Sequence, residues 1–178
     1  MEINIREELE KDYEVVERLT EEAFKNAVHS DGTEHLLVNR LRKSDDFIKE
    51  LSLVAEDNGK VIAHLMLTKA KINNGDMSVE TLALALAPVS VIPEYQGKGI
   101  GSKLINVALE SARRLGYKSV IVLGHDKYYP KFGFVPASKY EIKAPFDVPD
   151  EAFMVKELND GSLIGVSGIV EYTKEFFE

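Results

Sequence analysis

The chain of 178 residues has the length of one domain of ordinary size. Hydrophobic residues make up 44% and charged residues 29% of it, a globular composition that excludes collagen-like, low-complexity and disordered chains. The 22 Lys and Arg residues against 30 Asp and Glu residues leave a net charge of −8. This balance disfavours nucleic acid and anionic membranes as partners, because both require a basic face. We predict a single domain over residues 1–178.

The residue types available exclude several kinds of site. There is no cysteine, so disulfides, thiolate metal ligands and cysteine nucleophiles are excluded. The four histidines do not form an HExxH pattern, and we expect no metal. The acidic N-terminus does not resemble a signal peptide. The longest apolar run, residues 82–92, is far shorter than the roughly 20 residues that span a bilayer, so we predict a soluble cytoplasmic protein.

The first half of the chain predicts one short strand, two helices and three longer strands. Ile3 and Ile5 alternate with polar residues, which is typical of a strand. Asp12 is placed to cap a helix that ends near residues 29–32, and Thr33 to cap a second that ends near residues 43–44. The three strands are predicted at residues 51–56, at residues 60–72 and from Glu80 onward, and the turns 57–59 and 73–76 separate them.

The second half begins with the strongest helix pattern, at residues 100–115, where apolar side chains recur on one face and Gly116 ends the helix. The apolar run 119–123 is typical of a strand covered on both faces. Strand, helix and covered strand predict a parallel βαβ unit with a right-handed crossover. After an irregular loop at residues 143–151, strands 153–158 and 167–172 are predicted to form a hairpin. The predicted fold class is α/β, a twisted mixed sheet flanked by helices.

Three glycines between a predicted strand and the predicted helix form the strongest candidate binding motif. Glycines in this position expose backbone N–H groups at the positive end of a helix dipole, which suits a phosphate. A Walker loop does not fit, because Lys98 is followed by Gly99, and a GxGxxG fingerprint does not fit, because the third glycine is at 101 rather than 102. The pattern that remains is Gln96-x-x-Gly99-x-Gly101, although glycines also occur in tight turns without any ligand.

Residues 89–102 resemble the pyrophosphate-binding motif [Q/R]xxGxG of the GNAT superfamily of acetyl-CoA-dependent N-acetyltransferases. A second segment, residues 128–134 with the sequence YYPKFGF, is similar to the YxxxGF signature of the same family. The order of predicted elements agrees with that family over nearly the whole chain. Residues 165–172 resemble, more loosely, its YhbS-like branch of predicted acetyltransferases.

The resemblance implies a GNAT-like acyl-CoA N-acyltransferase fold with acetyl-CoA as co-substrate. The pantetheine arm would pair with a strand beside a bulge, where a backbone N–H faces the thioester carbonyl. Asp126 would contact that arm where many family members have Asn and Ala before the tyrosine. The cofactor-binding residues implied are Val89, Ser90, Val91, Gln96, Gly97, Lys98, Gly99, Ile100, Gly101, Ser102 and Asp126.

Acetyl transfer to an amine requires a base and benefits from an acid. An alkylamine with a pKa of about 10.4 is mostly protonated at neutral pH and must lose a proton before it attacks. By its match to the family position, Tyr129 is the predicted acid for the departing thiolate; Tyr128 and a plain core role are the alternatives. The candidate bases are Glu34, Glu80 and His125, each of which also fits an ordinary structural position.

The acceptor and the partners are less specified. A small-molecule amine or a peptide amine is expected, and the acidic net charge favours a cationic one. The aromatic tail, Tyr172, Phe176 and Phe177, either forms a homodimer interface or packs on its own sheet. Two rival functions are a non-catalytic acyl-CoA-binding sensor or interaction module, and a nucleotide-binding protein.

Overall fold

A computed structural model of the chain describes residues 1–76 and 80–178. Within these ranges three helices and nine strands are formed. In chain order they are β1 (Ile3–Glu7), α1 (Tyr13–Phe24), α2 (Glu34–Arg42), β2 (Phe47–Asp57), β3 (Lys60–Asn73), β4 (Glu80–Val91), α3 (Ile100–Arg114), β5 (Ser119–Leu123), β6 (Val135–Pro136), β7 (Ile142–Lys143), β8 (Phe153–Glu157) and β9 (Gly168–Glu171). Short 3-10 helices occur between them.

The strands belong to one mixed sheet with the order β1-β2-β3-β4-β5-β8-β6, and β9 pairs with both β3 and β7. The pairs β4/β5 and β7/β9 are parallel. The pairs β1/β2, β3/β9, β5/β8 and β6/β8 are antiparallel. The predicted α/β class with a mixed sheet is therefore confirmed, as is the parallel pairing of the two strands on either side of α3.

The chain folds into two compact units, and the first comprises Met1–Leu67, Ala87–Ala108 and Lys174–Glu178. In it β1 and β2 pair from Ile3 opposite Asp57 to Glu7 opposite Leu53. Helices α1 and α2 pack together, and their apolar faces are buried through Val16, Leu19, Val38 and Leu41. The C-terminal 3-10 helix Lys174–Phe177 contacts α2, where Arg40 Nε donates a hydrogen bond of 3.1 Å to the Glu175 carbonyl.

The second unit comprises Thr68–Leu86 and Leu109–Thr173. Its apolar core is contributed by six strands and the connections between them, through Ile72, Ala83, Ile121, Ala137, Ile142, Phe153, Val155, Leu163 and Val170. Strand β5 pairs with β4 on one edge and with β8 on the other, and residues 119–122 are buried. This confirms the covered strand that the apolar run predicts. The single-domain assignment of residues 1–178 stays a prediction.

The predicted end of the first helix is wrong. Helix α1 ends at Phe24, ahead of the predicted end at residues 29–32, and Val28 is 91% exposed. Asp12 does not cap α1 with its side chain. Its carboxylate instead accepts the Leu9 N–H at 2.8 Å and pairs with Arg6, because a 3-10 turn at Glu10–Asp12 precedes the helix.

The predicted hairpin of strands 153–158 and 167–172 is also wrong. Strand β8 pairs with β5 and β6, whereas β9 pairs with β3 and β7. The connection between β8 and β9 is a folded segment whose Leu163 is 1% exposed and donates its N–H to Glu157 Oε2 at 2.8 Å. Gly168 lies against the Asn73 backbone so closely that a Cβ there would overlap it. Because glycine has no Cβ, β9 can approach β3 closely enough to pair with it.

Candidate functional site

The segment between β4 and α3 is tied to its own unit by two side chains. Val89 and Val91 are half-buried at the end of β4, and a 3-10 turn at Pro93–Tyr95 follows. The Gln96 amide Nε2 donates to the Val91 carbonyl at 2.8 Å, and the Tyr95 hydroxyl donates to Asp57 Oδ2 at 2.8 Å. Gln96 therefore holds the turn to the strand end with its side chain.

The glycines place a turn of bare backbone directly before α3. Gly97 and Gly99 have φ angles of 75° and 81°, a left-handed conformation that glycine adopts readily. Helix α3 begins at Ile100, and its first backbone hydrogen bond here runs from the Lys103 N–H to the Gly99 carbonyl at 3.1 Å. An α-helix leaves the N–H groups of its first turn without intrahelical acceptors, and its dipole favours an anion there. The geometry suits a phosphate group.

The side chains of this segment add positive charge and leave the backbone accessible. Residues 96–99 are exposed, whereas Ile100 is 1% exposed and anchors the helix start in the core. The Lys98 ammonium lies 5.1 Å from the centre of the Tyr95 ring. A cation on an aromatic face has a preferred position, so Lys98 is held beside the turn. Whether residues 89–102 bind a cofactor stays a prediction.

Tyr129 lies in an aromatic cluster of the second unit. It begins the 3-10 helix Tyr129–Phe132, and its ring packs edge-on against Tyr128 at 5.2 Å and against Phe134 at 5.7 Å. A Cβ on Gly124 would overlap the Tyr129 ring. Burial, with a smaller contribution from Tyr128, raises the pKa of Tyr129 to about 12. The phenol therefore keeps its proton at neutral pH, as a proton donor must.

The three candidate bases have different surroundings. Glu34 begins α2, where one carboxylate oxygen accepts a hydrogen bond from Ser30 and the other, Oε2, is buried with no partner. Glu80 is exposed and pairs with Lys71 at 3.2 Å. His125 is exposed, and its carbonyl accepts the N–H groups of Tyr128 and Tyr129. Their role as bases stays a prediction, as does the contact of the exposed Asp126 with a cofactor.

The predicted site residues are divided between the two compact units. Residues 89–102 and Glu34 belong to the first unit, whereas Glu80, His125, Asp126 and Tyr129 belong to the second. His125 and Tyr129 meet through the backbone bond from the Tyr129 N–H to the His125 carbonyl, at 3.3 Å.

A buried polar cluster in the first unit is not predicted by the sequence. Glu8, after β1, accepts hydrogen bonds from Arg42 of α2 and from the Ser52 hydroxyl of β2, the latter at 2.7 Å. The Ser52 oxygen lies 3.0 Å from His64 Nε2 of β3. Burial alone would raise the pKa of Glu8, but the nearby His64, Arg42 and Ser52 side chains lower it to about 2. Ser52 and His64 interrupt apolar strands, and that interruption is the sequence signal for the cluster.

Two further findings concern metals and membranes. In the ranges 1–76 and 80–178, no group of three His, Asp or Glu side chains could hold a metal ion. No helix formed by those residues is long and apolar enough to cross a bilayer.

Comparison with known sequences relates the chain to acetyltransferases. The family described as Acetyltransferase (GNAT) family matches residues 5–134. YjhQ of Escherichia coli K12, an uncharacterized N-acetyltransferase, is 40% identical over 116 residues, which cover 65% of this chain and 63% of YjhQ. The chain therefore spans less than two thirds of YjhQ. YhbS of the same organism, also named an uncharacterized N-acetyltransferase, is 31% identical over 97% of both chains.

Two solved structures are similar over nearly the whole chain. YhbS from Escherichia coli in complex with CoA has a TM-score of 0.85 and 29% identity, covering 99% of this chain and 92% of that one. A GNAT family acetyltransferase from Brucella melitensis in complex with acetyl-CoA has a TM-score of 0.79 and 30% identity, covering 98% of each chain.

Proposed function

Because the chain belongs to the acetyltransferase (GNAT) family, we propose that it binds acetyl-CoA and transfers the acetyl group to a primary amine. The observation that carries the proposal is the left-handed glycine turn at Gly97 and Gly99 directly before α3. The relatives solved with CoA and acetyl-CoA support it.

The residues at the turn suit the pyrophosphate of coenzyme A. The backbone amides of residues 97–102 would donate to its oxygens, and missing side chains at the glycines let the phosphate approach. Lys98 adds a positive charge beside the turn. Gln96, whose amide is engaged with Val91, would act by holding the turn in place. Val89 and Val91 are half-buried, and their backbone groups would form hydrogen bonds with the pantetheine arm as an added strand does.

The proposed chemistry is direct attack of a neutral amine on the thioester carbonyl. A backbone N–H of β4 stabilises the oxyanion of the tetrahedral intermediate. When the C–S bond breaks, the sulfur leaves as a thiolate, and Tyr129 donates its phenolic proton to it. The raised pKa of Tyr129 keeps that proton in place until the thiolate forms.

The experiment has a binding arm and a turnover arm. Calorimetric titration with coenzyme A, ATP and NAD is expected to show binding of coenzyme A alone, since neither the Walker nor the dinucleotide pattern is present. Thiol release from acetyl-CoA is then followed with a polyamine, an arylalkylamine, an aminoglycoside and a lysine-containing peptide. Binding with no thiol release above background for any amine would favour an acyl-CoA sensor, and tighter binding of ATP or NAD would contradict the proposal.

A further inference from the structure

The protons of the buried cluster can be assigned from its geometry. Glu8 is ionised at neutral pH, and a carboxylate can only accept, so the Ser52 hydroxyl donates its single proton to Glu8 Oε2 at 2.7 Å. The Ser52 oxygen must then accept from His64 Nε2, which lies 3.0 Å away. In the neutral imidazole, Nδ1 therefore carries no proton and can only accept a hydrogen bond. The His64 side chain is fully buried, and its Nδ1 has no hydrogen-bond partner.

Ser90 of β4 is a second buried group without a partner. Strands β3 and β4 are neighbours joined by residues 74–79, and a parallel connection takes about a dozen residues or more, so the pair is antiparallel. The Ile92 N–H donates to the Ile62 carbonyl at 3.1 Å. In an antiparallel pair, counting back two residues from Ile92 reaches Ser90, and counting forward two residues from Ile62 reaches His64. This register places Ser90 opposite His64 on the same face of the sheet. Ser90 is 1% exposed, and its hydroxyl makes no hydrogen bond.

Opposite residues of an antiparallel pair have Cβ atoms about 4.5–5.5 Å apart. Neither the Ser90 hydroxyl nor His64 Nδ1 has a partner within the protein, and at this spacing one water molecule can bridge them. The hydroxyl needs an acceptor and Nδ1 needs a donor, and a water supplies both. With that water, the row Ser90, His64, Ser52 and Glu8 would form one directional chain of hydrogen bonds that ends on a carboxylate.

We propose that His64 is the proton acceptor of the acetyl transfer, reached through Ser90, with Ser52 and Glu8 as positioning residues. The inference rests on the proposed function, because Ser90 belongs to the segment 89–91 assigned to the pantetheine arm. It adds a fourth base to the three that the sequence offers and differs from them in being buried and connected to a carboxylate.

The proton transfer balances along this chain. As the amine nitrogen bonds to the thioester carbon, one of its N–H bonds breaks and the proton passes to the Ser90 oxygen. Ser90 releases its own hydroxyl proton to the bridging water, which passes a proton to His64 Nδ1, and the imidazole becomes an imidazolium with a proton on each nitrogen. After the product leaves, His64 returns its proton along the same chain to water, and the Tyr129 phenolate regains a proton from water.

His64 lies beside one carboxylate and one hydroxyl of the cluster. Glu8 faces it from the segment after β1, with Oε2 3.7 Å from Nε2. Arg42 of α2 donates hydrogen bonds to both oxygens of the same carboxylate, and its guanidinium lies 4.1 Å from the centre of the Tyr13 ring of α1. Glu8 therefore lies close to both the guanidinium and the imidazole. Ser52 of β2 is the neutral group between His64 and Glu8.

The first arm of the test observes His64 directly by nitrogen-15 NMR of the histidine rings. His64→Gln identifies the resonances, and its amide can keep the hydrogen bond to Ser52. In the neutral ring we expect the proton on Nε2 and none on Nδ1. Ser90→Ala is expected to move the Nδ1 resonance, whereas the control Thr20→Val, which removes another buried hydroxyl without a partner, leaves it unchanged. A proton on Nδ1, or no response to Ser90→Ala, overturns the relay.

The second arm measures turnover with the amine that the wild-type protein acetylates fastest in the panel above. His64→Gln is expected to lower kcat by about 10²–10⁴-fold, the usual effect of losing a general base. Ser90→Ala is expected to lower kcat by at least about tenfold, because water can replace the hydroxyl only in part. The affinity for coenzyme A stays within about twofold of the wild-type value if His64 acts on protons alone.

The pH profile separates chemistry from structure. In this proposal His64→Gln changes the pH profile of kcat, and a purely structural histidine would leave the profile in place. An unchanged profile, or a loss of kcat matched by Thr20→Val, overturns the inference. Absence of thiol release from wild-type protein with every amine contradicts the proposed function instead, and the NMR arm still decides whether Nδ1 is coupled to Ser90.

Discussion

Tyr129 is the residue whose environment is best matched to a chemical role. Its ring is half-buried against aromatic rings, and this loss of solvent raises the pKa of the phenol to about 12. A raised pKa means that the neutral form persists below about pH 12, so the proton is present throughout any ordinary assay. Tyr129→Phe keeps the ring and removes the proton. We expect kcat to fall by about 10²–10⁴-fold with little change in coenzyme A affinity, measured by thiol release and calorimetry.

The matched control is Tyr128→Phe, since Tyr128 packs against the same rings. We expect it to retain most of the turnover. Gly124→Ala tests the ring position separately, because a Cβ at that residue would displace the Tyr129 ring without removing its proton. Full turnover in Tyr129→Phe would contradict the acid role, and a loss seen only in Tyr128→Phe would move that role to its neighbour.

Glu8 predicts how stability changes with pH. Its pKa is lowered from 4.5 to about 2 in the folded protein, so the folded state binds its proton more weakly than the unfolded state. The stabilisation is complete above the unfolded value and is lost as pH falls through the interval between these two values. Its size is on the order of 3 kcal/mol, from 1.36 kcal/mol per pKa unit. Urea unfolding at a series of pH values measures it.

We expect Glu8→Gln to unfold more easily than wild type at pH 7, because Arg42 loses its buried partner, at a cost of about 3–5 kcal/mol. The variant should also have a flatter dependence of unfolding free energy on pH on the acidic side. The exposed neighbour Glu10→Gln is the control and should match wild type in both respects. Equal acid slopes in wild type and Glu8→Gln would show that the carboxylate is not held in its ionised form by this cluster.

Among the helices and strands, the start of α3 has a glycine that favours phosphate binding and lowers the stability of the helix. Gly101 lies in the first turn of the helix, where alanine is more favourable than glycine by about 1 kcal/mol. Gly101→Ala should therefore raise Tm by about 2–4 °C. The added methyl group should also keep the phosphate from the backbone. We expect coenzyme A affinity to fall by about ten- to a hundredfold, the equivalent of one charge-assisted hydrogen bond.

A variant at Gly99 would be less informative, because its φ of 81° strains any residue with a Cβ and would disturb the turn itself. Ser111→Ala, in the last turn of the same helix, is the control: it should leave affinity unchanged. A Gly101→Ala protein that is more stable and binds coenzyme A as wild type does would exclude the first turn as the phosphate site.

The elements that the sequence predicts correctly are those determined by local chemistry. Helix α3 follows from its apolar period and Gly116, whose φ is 92°, and β5 from an apolar run of strand length. The prediction that β8 and β9 form a hairpin is wrong because long-range packing determines which strands pair. Gly168 at the start of β9 packs against the Asn73 backbone at the end of β3 instead. The N-cap assignment of Asp12 fails because the 3-10 turn before α1 engages its carboxylate.

The same distinction applies to the candidate site. The segment 89–102 is contiguous, so its turn geometry can be predicted from a motif and is found in the structure. The cluster of Glu8, Arg42, Ser52 and His64 joins four elements, and in the sequence each residue has an ordinary explanation when taken alone. Only the fold brings them together, which is why the proposed relay could not be read from the chain.

For the whole molecule, the net charge of −8 predicts how an acceptor is drawn to the protein. An acidic protein raises the local concentration of cations and speeds their association, and salt screens this attraction over a Debye length of about 8 Å at physiological ionic strength. With acetyl-CoA saturating, kcat/KM for a polyamine should fall as ionic strength rises from about 0.01 to 0.15 M. A weakly basic arylamine, uncharged at the assay pH, is the control, because long-range charge neither attracts nor repels it. Equal salt dependence for the two amines would show that the acidic charge does not steer the acceptor, and the preference for a cationic substrate would then have to come from contacts within the site.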